Sequence, residues 1–278
     1  VLRMRPGAPG PASLSVEPAQ RELARTSVLF VLDCSRSMAQ GRRMETLIET
    51  LDQFAQLVQG SQIQVGVRLF GHRYEWRTDD ADSELQARQD SELKMDLKDF
   101  DSAALMEFKE LVRNLAPRGE TPLFYALSRT VEDFRQAGAG RKLVILVTDG
   151  VDNWAQSKEA ATQLQEISTA LPAVGIRVNA IGFDGDQDGF VQLRKIAGVT
   201  GGTAVDASNS GLLSRLLAAL EPFYFRVQER GTAEEVVSSR LLPMGLSEPL
   251  EIPAGIFDVF VMDKDRKNVA SRKGVKVQ

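Results

Sequence analysis

The sequence is poor in the residues that carry most covalent and metal chemistry. Its single cysteine, Cys34, cannot close an intrachain disulfide and cannot build a Cys-rich zinc site. Its single histidine, His72, excludes a His-rich metal centre and confines any Ser-His-Asp mechanism to one ring, which reads as structural rather than catalytic. No apolar run approaches the ~20 residues that span a bilayer. Nor is there a basic excess. The 34 Lys and Arg against 38 Asp and Glu leave a net charge of −4, so no field exists to collect nucleic acid or anionic lipid. The start, Val1-Leu2-Arg3-Met4-Arg5-Pro6-Gly7, is not a signal peptide and reads as the beginning of an excised fragment. Cysteine use leaves the compartment open.

What remains is the composition of a folded protein, with 43% hydrophobic and 26% charged residues over 278 positions. That length predicts one large domain, or one with a smaller module. Residues 1–22, rich in Pro and Gly around a possible short strand at Ser13–Val16, read as linker. Ser27–Leu32 and Leu143–Val147 are short apolar runs, the mark of strands buried on both faces. Between them, Met44, Leu47, Ile48, Leu51, Phe54, Leu57 and Val58 follow the i, i+3, i+4 spacing of one buried helical stripe. Ile63, Val65, Val67 and Leu69 alternate with Gln64, Gly66 and Arg68, the period of a strand with one more polar face. Further helices are expected near 102–115, 121–136, 157–171, 189–198 and 209–221, with strands near 176–183 and 203–206. Alternating strands and helices predict an α/β doubly wound, mostly parallel sheet over residues 23–222, because parallel neighbours need helical crossovers. From 223 to 278 strands at 223–227, 250–252 and 256–262 predict a small β-rich module or truncated sandwich, with Asp263-Lys264-Asp265 as a hairpin turn.

In open parallel sheets ligands bind outside the carboxyl ends of the strands. The first buried strand runs into Asp33-Cys34-Ser35-Arg36-Ser37, and the other runs into Thr148-Asp149-Gly150. A third loop, Gly119-Glu120-Thr121-Pro122-Leu123, opens a helix. Asp33, Ser35, Ser37, Thr121 and Asp149 suit a hard cation such as Mg2+, which takes hydroxyl and water oxygens with only one or two carboxylates. The plainer alternative is that these residues make turns and caps, with Thr121 as an N-cap and Pro122 at the first helical position.

In this order the residues resemble the von Willebrand factor A domains and their metal-ion-dependent adhesion site: DxSxS, then a Thr, then a strand-ending Asp. The resemblance spans about residues 25–222 and includes GETPL (119–123), LVTDG (146–150) and IAGVTGG (196–202) followed by Asp206. It implies one antiparallel edge strand. It also implies that Asp33, Ser35 and Ser37 bind Mg2+ (or Mn2+ or Ca2+) directly or through water, that Thr121 does so in some states, and that Asp149 does so often through water. An Asp or Glu of a protein partner would complete the shell. Some members couple this to a shift of the last helix, here about 209–221. With the tail that includes Leu250–Val259 (LEIPAGIFDV), the chain is similar to bacterial members that carry a small sandwich-like module. Arg36 stands where many of those have Gly, beside the expected ligands.

Two other stretches are candidates. Residues 72–92 exceed a typical loop, and Tyr74, Trp76 and Arg77 are types enriched in binding hot spots, so with Arg36 and Trp154 they form a candidate partner-binding rim, against a plain solvated insertion. Asp184, Asp186 and Asp188 copy the first half of a calcium loop, but position twelve is Lys195 instead of Glu, which favours an acidic helix cap. The implied activity is binding, not turnover. A hydrolase of the haloacid dehalogenase type would need a second Asp where Ser35 stands. A cytosolic partner of an AAA+ ATPase is the alternative to an adhesion module; the β-rich tail favours the extracytoplasmic setting.

Overall fold

The computed structural model describes residues 13–14, 26–59, 63–73, 85, 88–137, 140–150, 152–153, 157–183, 187–207, 211–220, 224–232, 235–240, 250–262 and 268–277. The chain divides into two compact units, 25–219 and 1–24 together with 220–278.

In the larger unit, strands β2 (Thr26–Asp33), β3 (Ile63–Phe70), β4 (Ser91–Asp99), β5 (Arg141–Thr148), β6 (Ile176–Gly182) and β7 (Ala204–Asp206) form one sheet in the order β4-β3-β2-β5-β6-β7. All neighbours are parallel except the edge strand β4, which runs antiparallel to β3. The helices are α1 (Arg43–Val58), α2 (Ser102–Arg113), α3 (Leu123–Asp133), α4 (Ser157–Ala173), α5 (Gln187–Val199) and α6 (Leu212–Ala219). Every residue of β2 is buried, as a central strand covered on both faces must be. Phe30 meets Phe54 of α1 edge-on at 5.2 Å and Phe108 of α2 at 5.8 Å between ring centroids. The neighbouring Leu29 and Val31 belong to the opposite core, with Phe124 and Leu127 of α3, Ile167 of α4 and Ile196 of α5. The α/β doubly wound reading of the sequence therefore holds, and so does the antiparallel edge.

Two details differ from the sequence reading. Leu57, placed in the buried stripe of α1, is 54% exposed. At 100° per residue it sits well off the line through Met44, Leu47, Leu51, Phe54 and Val58. Arg68, read as part of a polar strand face, is buried and grips Asp133 of α3 through Nε (2.6 Å) and Nη2 (2.7 Å). A charge on a strand thus marks a paired core position, because β4 and α3 cover β3.

The smaller unit holds a four-stranded antiparallel sheet in the order β12-β11-β8-β9, built from β8 (Tyr224–Glu229), β9 (Glu235–Arg240), β11 (Gly255–Met262) and β12 (Asn268–Val277). A second pairing joins β1 (Ser13–Leu14) to β10 (Leu250–Glu251). Phe225, Val227, Phe257, Val259, Val261, Met262, Val275 and Val277 are among its buried residues. The sequence reading missed β9 and β12. In β12, Arg272, Lys273 and Lys276 interrupt the apolar pattern, and Gly274 sits at positive φ beside register shifts in the pairing. The expected turn at 263–265 lies outside the described residues.

Candidate metal centre

From β2 the chain passes to β3 on one side, while β5 lies on the other, so the strand order reverses between β2 and β5. A crevice outside the strand ends opens at such a point. Three loops meet there: Cys34–Ser37, of which Ser37 sits in a 3-10 helix (Arg36–Arg42), Arg118–Pro122, and the segment after Thr148. Backbone hydrogen bonds knit the first two. Ser35 bridges Gly119 in parallel fashion, Arg36 N–H donates to Gly119 C=O at 2.9 Å, and Arg118 N–H donates to Cys34 C=O at 2.8 Å. Gly119 N–H in turn donates to Gly71 C=O at 2.6 Å. Gly71 has φ +70°, and a Cβ there would lie 2.5 Å from Glu120 C=O and 2.7 Å from Ser35 N. Any side chain would wedge the two loops apart.

Into this frame the side chains bring oxygen. Asp33 is fully buried; its Oδ1 accepts Ser35 N–H at 2.7 Å and its Oδ2 accepts the Thr148 hydroxyl at 2.5 Å. The hydroxyl oxygens of Ser35 and Ser37 lie 3.0 Å apart, and Ser37 donates to Asp149 Oδ1 at 2.7 Å. Asp149 Oδ2 accepts from Arg43 Nη1 at 2.5 Å. Thr121 is buried, and its Oγ1 lies 3.6 Å from the point a Cβ on Gly150 would occupy. The structure thus brings Asp33, Ser35, Ser37 and Asp149 into one connected cluster and sets Thr121 against the loop that carries Asp149.

Turn-and-cap chemistry explains part of this arrangement. Thr121 is not the helix cap that the sequence suggested as the plainer reading. The N-cap of α3 is Pro122, and it is Asp152 Oδ2, from the third loop, that accepts Phe124 N–H at 2.8 Å. Asn153 holds the same loop down: its Oδ1 accepts Thr121 N–H at 2.8 Å and its Nδ2 donates to Glu120 Oε2 at 2.6 Å. Sequence reasoning missed Arg43, Gly71, Thr148, Asp152 and Asn153. The only local signal was the run of turn-forming residues after Thr148.

Burial first, and the charge of Asp149 second, raise the Asp33 carboxyl from its ordinary 3.8 to about 7, against the lowering effect of its bonds from Ser35 and Thr148. A crevice that penalises its own carboxylate in this way favours an added positive charge. Two carboxylates among hydroxyls fit a hard cation such as Mg2+. Among the described residues no three His, Cys, Asp or Glu side chains gather at one point, as a zinc cage would require. Burial also pushes the Cys34 thiol well up, which removes it as a nucleophile. Burial lowers His72 to about 4; its ring nitrogens face Asp90 and Glu92 at 3.3 Å, a structural position. Asp90 Oδ1 accepts the N–H groups of His72 and Arg73 at 2.8 and 2.7 Å, pinning the two ends of the 72–92 segment together.

On the rim, Arg36 is half exposed and its Nη2 lies 2.6 Å from Glu120 Oε1. Tyr74, Trp76, Arg77 and Trp154 lie outside the described residues, as do Asp184, Asp186 and the side chain of Asp188.

A sequence profile of the von Willebrand factor type A domain matches residues 27–219. The chain is 25% identical over 197 residues to the uncharacterized protein YwmD of Bacillus subtilis (strain 168), a match covering 69% of this chain and 83% of that one. Its fold is similar to that of a von Willebrand factor type A structure from Catenulispora acidiphila, with TM-score 0.56 and 16% identity over 96% of this chain and 68% of that chain. It is also similar to the pilus adhesin SpaC from Lactobacillus rhamnosus GG in the open conformation, with TM-score 0.59 and 11% identity over 94% of this chain and 44% of that chain. At such identities the structural likeness concerns the fold.

Proposed function

Because this chain belongs to the von Willebrand factor type A domain family, we propose that it is a protein-interaction module of the adhesion type, whose partner presents an Asp or Glu to a divalent cation, Mg2+ or in its place Mn2+ or Ca2+. The observation that supports this most is the connected cluster of Asp33, Ser35, Ser37 and Asp149 at the switch point of the sheet, with Thr121 alongside. Asp33, Ser35, Ser37 and Thr121 would hold the cation. Asp149, both of whose oxygens are engaged, would act from behind Ser37. When bound, the cation supplies a coordination position for an anionic oxygen.

The chain's own residues prepare that position. Ser37 gives its proton to Asp149, which leaves its lone pairs for a cation. Thr148 and Ser35 N–H hold the Asp33 carboxylate in one orientation. Arg36, half exposed and paired with Glu120, would meet acidic groups of a partner. The activity this reading implies is binding and not turnover: Ser35 occupies the position where a hydrolase of the haloacid dehalogenase type would need its second carboxylate, and the nearby thiol is buried. A pilus adhesin shares the fold, which accords with an adhesive role.

The test is titration of Mg2+ and Mn2+ by calorimetry and thermal shift with wild type, Asp33→Ala and Asp149→Ala. We expect cation-dependent stabilisation in wild type and its loss in both variants. Equal responses in all three proteins would sink the reading. A wild type that responds then goes to pull-down of partners in Mg2+ against EDTA.

A further inference from the structure

We propose that Arg43 is a built-in counter-cation of the crevice, which neutralises Asp149 before a dication arrives and sets the dication's affinity by opposing its charge. The proposal rests on the reading of this crevice as a cation site.

Arg43 opens α1 with its Nη1 at 2.5 Å from Asp149 Oδ2 and 3.4 Å from Ser37 C=O. The Asp149 side chain is completely inaccessible and that of Arg43 only 19% exposed, so solvent screens the pair weakly. The backbone is bent to place the guanidinium there. Gly41 and Arg42 are both left-handed (φ +57° and +61°), and Arg42 is the only non-glycine residue at positive φ among the described residues. A left-handed L-residue costs about 1 kcal/mol or more, and such strain persists where the surroundings enforce it. The sharp turn between the 3-10 helix and α1 ends at Arg43.

The charge balance gives this position a consequence. Asp33 and Asp149 sit close enough for the charge of one to act on the other. Ser35, Ser37 and Thr148 offer them only neutral donors. Arg43 is the one cation bonded to the pair among the described residues, and it offsets the charge of Asp149. The cation-free protein is therefore stabilised, and an arriving dication meets less negative charge. The opposition is reciprocal: a bound dication weakens the hold of Arg43 on Asp149 by the same factor.

The experiment compares wild type with R43Q and R43K as full chains, melting each in EDTA and titrating each with Mn2+. R43Q is expected to melt lower than wild type in EDTA and to bind Mn2+ about tenfold tighter or more, since a unit charge near a dication matters this much even at high dielectric. R43K keeps the charge without the planar fork, and its affinity stays within about threefold of wild type. Unchanged or weaker Mn2+ binding by R43Q overturns the proposal while the cation site stands. So does an R43K shift as large as that of R43Q, because geometry and not charge would then be responsible. If no protein binds Mn2+, the cation-site reading itself falls and the proposal with it, whatever R43Q does in EDTA. Should R43Q fail to fold, the R43K affinity decides: a shift of tenfold or more refutes the role of charge.

Discussion

Replacing Asp33 with Asn removes one of two opposing contributions to the pH dependence of stability between pH 4 and pH 7 in the cation-free protein, the other being that of the buried His72. Burial and the neighbouring Asp149 raise the Asp33 carboxyl from 3.8 to about 7 in the folded state. Across that window native Asp33 keeps a proton that the unfolded chain has released, so its contribution to stability falls as pH rises and levels off above pH 7, whereas His72, lowered from 6.5 to about 4, contributes a rise over pH 4 to 6.5 that both proteins share. At about 1.4 kcal/mol per unit over about three units, the fall amounts to at most about 4 kcal/mol, or a melting shift on the order of 10 °C. Asparagine brings its own cost. Its amide cannot accept from both Ser35 N–H and the Thr148 hydroxyl, an offset of about 1–3 kcal/mol at every pH. The slope, not the absolute midpoint, is therefore the readout. The assay is urea unfolding of both proteins at half-unit pH steps in EDTA, repeated for wild type in saturating Mg2+. There the cation replaces the proton, and the wild-type profile turns upward with pH relative to its profile in EDTA. Parallel profiles for wild type and Asp33→Asn in EDTA would refute the reasoning, since the proton would then reside elsewhere.

Gly71→Ala forces a Cβ against Glu120 C=O at 2.5 Å on a backbone at φ +70°; denaturant melts should show a loss of about 2–4 kcal/mol. Arg68→Met strands the buried Asp133 carboxylate and costs about 3–5 kcal/mol, whereas Arg68→Met with Asp133→Leu recovers most of it, as equilibrium unfolding of both variants will tell. The Arg36–Glu120 pair, with the arginine half exposed, is worth under about 1 kcal/mol in a double-mutant cycle, and a larger coupling would mean that it braces the loops.

Much of the larger unit was legible because its signals are local. A run such as Ser27–Leu32 has no polar position to give to solvent, so it must be a strand covered on both faces, and β2 is buried throughout. The stripe of α1 could be read from spacing until Leu57, which departs from it by angle alone. In the smaller unit β12 escaped because a bulge and exposed basic residues blur a period of two, and β9 is short and shifts register against β8.

The candidate crevice divides the same way. The sequence by itself determined the residue types and the order of the loops: two carboxylates and three hydroxyls, each following a strand or opening a helix. Only the tertiary structure decided that β2 and β5 are neighbours, which brings Ser37 within 2.7 Å of Asp149. It also decided who supports them. Arg43 on Asp149, Thr148 on Asp33, Asp152 on Phe124 and Asn153 on Thr121 cross between segments, all four pairs lying 28 to 115 residues apart and marked by no spacing. A hydrogen bond depends on angstroms in space, and the number of residues between two side chains carries that distance only within a helix or a strand.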